Sequence, residues 1–183
     1  MPDARSLRTL LTTQLNATVA RRPADEILRA VPPALRGVQP DGLPDAYSLW
    51  QILEHMRICQ TDYFRYCTDP DYTLPTWPDD YWPDAVAPPS EAAWTEALAD
   101  FHDTLASIKA FVNDPAIDLS GAIPHADGPA YHGTCYADEI GAIADHNAYH
   151  LGQFVTVRRL LGAWPPDGTD APDWETEMRS STE

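Results

Sequence analysis

Cysteine and positive charge are both scarce in this chain of 183 residues. The three cysteines, Cys59, Cys67 and Cys135, show no C-x-x-C spacing, which argues against a disulfide scaffold and a structural cysteine zinc site. We therefore expect single buried thiols. Only 12 Lys and Arg stand against 28 Asp and Glu, a net charge of −16. Such a surface repels phosphate backbones and anionic lipids, so we expect neither a nucleic acid nor a membrane as partner.

Long hydrophobic runs are also missing. No segment reaches the 18 or more apolar residues of a membrane span. The start, Met1 to Arg5, lacks the basic and then apolar order of a secretory signal, so we expect a cytoplasmic protein. Apolar residues at 44% and aromatic residues at 10% exclude disorder of the whole chain. The length fits one domain over 1–183, with a core at about 4–162 and an irregular tail at 163–183.

No segment alternates like a strand, and no internal repeat is visible. Apolar residues recur at helical spacing, and Ser48 with Gln51 forms a capping box. Ser90 and Thr134 are predicted N-caps. The predicted helices cover 4–21, 24–31, 49–66, 91–112 and 135–161. Four of these are long, and the proline-rich 68–89 and the irregular 113–133 are long connections, so we predict an all-α four-helix bundle.

Three histidines are the candidate functional residues. His146 and His150 lie four residues apart, so both imidazoles leave the same face of the last helix about one turn from each other. The pair alone is ambiguous between metal binding and coincidence, but its stripe is partly apolar and we expect it to face inward. His55 lies in a similarly apolar stretch of the second long helix. Three converging imidazoles suit a divalent cation, zinc or nickel first, with iron, copper or manganese also compatible, and leave one coordination position open.

Residues near this set have two interpretations each. Gln153 lies on the same face as His150 and either contacts that ring or ends the stripe with a polar group. Asp62 is seven residues beyond His55 and either lines the pocket or lies in solvent; about 10 Å along the axis, it is too far to share an ion with His55. Asn147 occupies the place of the glutamate in H-E-x-x-H, which excludes that type of metalloprotease.

The remaining histidines are weaker candidates. We expect His102 at the surface, because it lies off the apolar face of its helix. His125 and His132 fall in the irregular connection, where they either reach the mouth of the site or serve the loop. The aromatic stretch 77–83 either covers the pocket as a lip or caps one end of the bundle, the second being the simpler role.

Two sequence blocks resemble a known family. Ser48-Leu49-Trp50-Gln51-Ile52-Leu53-Glu54-His55-Met56 and Asp145-His146-Asn147-Ala148-Tyr149-His150-Leu151-Gly152-Gln153 are similar to the DinB-like superfamily of metal-binding four-helix bundles, which includes bacillithiol and mycothiol S-transferases. The resemblance spans roughly residues 4–162. It implies His55, His146 and His150 as metal ligands, an up-down-down-up bundle, and often a homodimer.

The activity implied by this resemblance is thiol S-transfer or hydrolysis on a small-molecule substrate, such as a low-molecular-weight thiol. The residues themselves do not choose between the two reactions, and no general base or other catalytic residue stands out. A non-catalytic, metal-stabilised dimeric bundle that binds a partner is the competing hypothesis. A purely structural bundle without an ion is the third.

Overall fold

The computed structural model describes residues 4–16, 22–43, 45–124 and 134–166. Within them the chain forms five α-helices: α1 Ala4–Asn16, α2 Ala24–Leu28, α3 Leu49–Thr68, α4 Glu91–Asn113 and α5 Tyr136–Leu160. Two 3₁₀ turns, Pro33–Leu35 and Asp79–Tyr81, lie in the connections. These ranges contain no strand, only an isolated bridge between Ala122 and Cys135, so the all-α prediction is confirmed. The predicted helical residues 17–21 lie outside the described residues, and α2 ends earlier than the predicted residue 31.

Contacts along α3 define the directions of the second half of the bundle. Trp50 packs against Trp94 near the start of α4, and Phe64 packs against Phe111 near its end, so α3 and α4 run parallel. The start of α3 meets the end of α5, where the rings of His55 and His150 lie 4.6 Å apart. Helix α5 is therefore antiparallel to α3 and α4.

Helix α1 completes the bundle by packing against α4 and α5. Arg8, near its start, donates to the carbonyl of Val112 at the end of α4, so α1 and α4 are antiparallel. The order is up-down-down-up, as predicted. Parallel α3 and α4 require the chain to return over the length of α3, about 30 Å for 20 residues. Residues 69–90 cover that span easily at about 3.1 Å per residue for a proline-rich chain.

Helix caps account for where the long helices begin. The Gln51 amide donates to Ser48 Oγ at 3.2 Å, and the Ser48 amide donates to Gln51 Oε1 at 3.1 Å, which completes the predicted capping box. Ser90 caps α4 as predicted. The prediction of Thr134 for α5 is wrong, because Cys135 is the N-cap. Its backbone is still extended and its bridge to Ala122 delays the first helical residue to Tyr136.

Large apolar side chains fill the interior. Phe101, Ile108 and Phe154 are fully buried where α4 and α5 face the centre. Cys59 and Cys67 are buried thiols as expected, whereas Cys135 is only half-buried because it lies at the exposed start of α5. None of the described helices is both long and apolar enough to cross a membrane.

One buried cation fastens the end of α5 to the short helix α2. The Arg158 side chain is fully buried, and its guanidinium donates to the carbonyls of Ile27 at 2.7 Å and Arg29 at 2.9 Å. Its Nε donates to the carbonyl of Ala163 at 2.9 Å. The arginine thus satisfies carbonyls at two helix ends that would otherwise be buried without donors.

Candidate metal centre

The three predicted histidines converge between α3 and α5. A ring nitrogen from each of His55, His146 and His150 lies within 4.8 Å of the other two. The Nε2 atoms of His55 and His146 are 3.2 Å apart. The convergence follows from the helical spacing of the pair on α5 and from the antiparallel contact that sets α3 opposite it. His55 and His150 are buried, and His146 is half-buried.

Hydrogen bonds fix the orientation of two of these rings. His55 Nδ1 lies 2.7 Å from the backbone carbonyl oxygen of Tyr81, and His150 Nδ1 lies 2.7 Å from Gln153 Oε1. A carbonyl oxygen only accepts, so both Nδ1 atoms carry the proton and both Nε2 atoms keep a lone pair that can accept a hydrogen bond or bind a metal. Gln153 is itself oriented, because its Nε2 donates to the Tyr149 hydroxyl at 3.0 Å. Such outer contacts are typical of metal-binding histidines.

The donor set fits a divalent cation. Two nitrogens bound to one zinc ion at about 2.0–2.1 Å and a tetrahedral angle lie about 3.3 Å from each other. The 3.2 Å between the Nε2 atoms of His55 and His146 agrees with that spacing. Three imidazoles with a fourth position free are compatible with zinc, nickel, copper or iron(II), so the residues favour a divalent metal without selecting one.

Burial keeps all three rings neutral. Desolvation lowers the pKa of His146 to about 3, helped by the neighbouring charges of His150 and His55. Desolvation also lowers the pKa of His150 to about 4, with His55 adding to the effect. The pKa of His55 is lowered by the same cause, partly offset by its bond to the Tyr81 carbonyl. Neutral imidazole is the form that binds a metal, so the site is ready for one at neutral pH.

An aromatic stack covers one side of the cluster. The Trp82 ring lies flat on the His55 ring, with centroids 3.7 Å apart and planes 4° apart. Tyr47 stacks in turn on Trp82, with centroids 3.8 Å apart. The 77–83 stretch therefore contributes Trp82 to the site as a lip, while Trp77 is 70% exposed. Sequence reasoning did not place Tyr47 at the site, because its position just before the cap of α3 indicates only a packing role at the start of that helix.

A groove of about 510 Å³ lies between α5 and residues 43–52, next to residues that contact the cluster. Gln153, which holds His150, and Tyr47, which ends the aromatic stack, both belong to its wall. Most other residues of the wall are apolar, including Leu43, Ile52, Val157 and Leu160. The single charged side chain among the described residues of this wall is Asp45. No sequence motif indicated this groove, because its two sides come from residues 43–52 and 149–160.

Asp62 is buried, so its interpretation as a surface carboxylate is wrong. It is 5% exposed, and it accepts hydrogen bonds from the hydroxyls of Tyr72 at 2.9 Å and Tyr81 at 2.7 Å. Burial raises the pKa of Asp62, and the two phenol bonds oppose that rise. Asp62 does not belong to the group of possible metal ligands formed by the three histidines. The tyrosines come from the proline-rich connection, and the apolar surroundings of Asp62 become visible only once that connection is folded back on α3.

The other candidates do not join the cluster. His102 is half-buried beside Phe101 rather than at the surface, and desolvation lowers its pKa. His125 and His132 lie outside the described residues. Cys59 Sγ lies 3.6 Å from His55 Nδ1, but burial raises the pKa of this thiol to about 12, which keeps it protonated. Asn147 donates to Gln60 Oε1 at 2.7 Å in the core.

The fold and the site together define a class: an up-down-down-up helical bundle with a three-histidine cluster between its second and fourth long helices. The model of the DinB superfamily matches residues 12–154, a range that contains all three histidines. The chain belongs to the DinB superfamily. Comparisons with curated protein sequences and with solved structures give no significant match.

Proposed function

We propose that this protein is a metal-dependent enzyme that acts on a small molecule, with a divalent cation held by His55, His146 and His150. The observation that carries the proposal is the convergence of three neutral imidazoles, two of which have their Nδ1 protons fixed by acceptors. This arrangement directs lone pairs toward a common point and leaves a coordination position for a substrate.

The chemistry of a bound divalent ion is to lower the pKa of a coordinated water or thiol, which yields a nucleophile at neutral pH. The chain's own residues hold and shield the site. Gln153 orients His150, and Trp82 excludes water from one face of His55. The carboxyl of Asp62 already accepts hydrogen bonds from two phenols, so it is not placed to act as a general base. A thiol has an ordinary pKa near 8.5 and needs less help to ionise than water, which is compatible with the thiol S-transfer that we propose as the first reaction to test.

The groove beside the cluster gives the substrate its expected character. A volume of about 510 Å³ lies in the range of small-molecule sites. The apolar wall, the carboxylate of Asp45 and the net charge of −16 disfavour an anion. We therefore expect a neutral electrophile with an apolar body as the acceptor of the thiol.

The test begins with protein purified without a histidine tag. We expect one divalent ion per chain, and metal-dependent consumption of a low-molecular-weight thiol with neutral aromatic electrophiles, faster than with their carboxylate analogues. His150→Ala removes a ligand and should abolish both metal and turnover. If the metal-loaded protein turns over neither thiol and electrophile pairs nor esters and amides, the enzymatic proposal is wrong.

A matched pair of variants tests the groove. Thr156 lies in its wall, and its hydroxyl donates to the carbonyl of Gly152 at 2.9 Å. Thr95 on α4 is also exposed and makes the same kind of bond to Glu91 at 3.0 Å. We expect Thr156→Phe to raise the KM for the electrophile while metal content stays unchanged, and Thr95→Phe to change neither. Equal kinetics for both variants would place the substrate elsewhere.

The second candidate function is a non-catalytic, metal-stabilised dimeric bundle. Apolar exposure on α5 favours it, because Tyr149 is 62% and Leu160 is 54% exposed. Sedimentation analysis of wild type and Leu160→Glu checks the homodimer. Two results together would support this second function over the first: a metal-loaded wild-type dimer that Leu160→Glu dissociates, and no turnover by the wild-type protein.

A further inference from the structure

Asp62 is a buried carboxylate without a basic partner in its described hydrogen bonds. Both of its oxygens accept from phenols, Oδ1 from Tyr72 and Oδ2 from Tyr81. Burying a carboxylate is unfavourable unless hydrogen bonds compensate for the lost hydration. At 5% exposure, the carboxylate therefore depends on these two phenols for compensation.

Tyr81 is fastened to α3 at both of its ends. Its hydroxyl binds Asp62, and its backbone carbonyl accepts the Nδ1 proton of His55. His55 and Asp62 are seven residues apart, which places them two turns or about 10 Å apart along one face of the same helix. The tyrosine thus bridges from the carboxylate to the histidine. The Asp79–Tyr81 turn, in which the Tyr81 amide donates to Pro78 at 3.1 Å, limits other movements of this residue.

We propose that Asp62 is a positioning residue for His55 and acts through Tyr81. Because the phenol fixes where the Tyr81 carbonyl lies, it also fixes the acceptor that keeps the proton of His55 on Nδ1. Without that acceptor the proton is shared between Nδ1 and Nε2, and Nε2 is the atom that faces His146 at 3.2 Å and that a metal would bind. Among the described residues, Cys59 Sγ also lies close to His55 Nδ1, at 3.6 Å, but sulfur is a much weaker acceptor than a carbonyl oxygen.

Tyr72 supplies an internal control. Its hydroxyl binds the same carboxylate as that of Tyr81, but its own backbone bond goes to Asp69 rather than to His55. Tyr72→Phe and Tyr81→Phe each remove one phenol oxygen from Asp62 and leave the ring in place. A purely structural carboxylate would make the two variants behave alike, whereas the bridge makes them differ.

The experiment uses the full chain and two readouts. Nitrogen-15 NMR of the metal-free protein reports the tautomer of His55, and titration with Co²⁺, followed by its visible absorption, reports affinity and ligand geometry. For wild type and Tyr72→Phe we expect the Nδ1-protonated tautomer and Co²⁺ affinities within twofold of each other. For Tyr81→Phe we expect a mixture of tautomers, a changed cobalt spectrum and about 10-fold weaker binding, the lower end of the effect of losing an outer contact.

Asp62→Ala should reproduce the Tyr81→Phe result, and if it does not fold, the two tyrosine variants decide the matter. Identical tautomers and affinities in Tyr72→Phe and Tyr81→Phe would overturn the positioning role. The metal part of this inference rests on the proposed function, but the tautomer does not. If wild type binds no Co²⁺ and only Tyr81→Phe loses the Nδ1 proton, the bridge stands and the metal proposal fails.

Discussion

The number of protons released when a metal binds tests the neutral state of the histidine cluster. An imidazole with an ordinary pKa of about 6.5 carries about 0.76 proton at pH 6, so three such rings would release about 2.3 protons per metal. With pKa values of about 3 and about 4, His146 and His150 carry almost none. Only His55, whose pKa is also lowered, contributes a fraction of one proton. We therefore expect fewer than about 0.8 proton per ion.

The pH dependence of the metal affinity should also reflect the lowered pKa values of the histidines. For three ordinary rings, protonation between pH 7.5 and 5.5 would weaken binding about 10-fold per ring, or about 1,000-fold in total. A lowered pKa preserves the neutral, metal-binding form to lower pH. Two of the three rings then lose nothing until the pH approaches 4, so the affinity of the protein should fall less than about 10-fold over this range.

Calorimetric titration with Zn²⁺ at pH 6 measures the proton count. The observed enthalpy is plotted against the ionisation enthalpy of several buffers, and its slope is the number of protons released. A peptide of residues 145–153 is the control, because its two hydrated rings should release about 1.5 protons. A protein value near 2 would refute the desolvated cluster, and so would a 1,000-fold loss of affinity at pH 5.5.

Three further predictions concern stability. Adding Zn²⁺ at 100 times its dissociation constant should stabilise the protein by about 2.7 kcal/mol and raise the Tm by roughly 5–10 °C, and chelation or His150→Ala should remove the shift in calorimetry. Arg158→Met should lower the free energy of unfolding in urea by about 3 kcal/mol, because it leaves buried carbonyls without donors. The same change at the exposed neighbour, Arg159→Met, should alter it by no more than about 0.5 kcal/mol, and equal costs would contradict the role of the buried guanidinium. Ser48→Ala should cost about 2 kcal/mol in the same unfolding series, more than the roughly 1 kcal/mol of Ser90→Ala, because Ser48 also donates to the Val86 carbonyl. Equal costs would show that this bond does not contribute.

Local signals predicted most of the fold. The Ser48 capping box and the Ser90 cap start their helices as expected, because a cap depends on side chains three residues apart in the chain. Thr134 failed as a cap for a non-local reason. The bridge from Ala122 holds Cys135 extended, and no pattern near residue 134 records a partner 13 residues away.

The candidate site also combines features that local spacing predicts with features that only distant contacts create. Helical spacing alone put His146 and His150 on one face of α5, and the apolar stretch around His55, supported by the resemblance, indicated the third ligand. Of the two interpretations of Gln153, the structure shows the contact with His150, at 2.7 Å and again within one turn of helix. The Trp82 ring on His55, the Tyr81 carbonyl and the groove bounded by Tyr47 come from separate segments. Their meeting depends on how residues 69–90 return along the bundle.

The sequence by itself therefore determined the helices, their apolar faces and the placement of His146 and His150 on one face, because each depends on residues within a turn or two of one another. Only the tertiary structure decided which ring nitrogens are free, how deeply the imidazoles are desolvated, and that Asp62 is buried under two tyrosines. Hydrogen-bond partners and burial are set by atoms from distant parts of the chain, and their positions follow from packing rather than from local spacing.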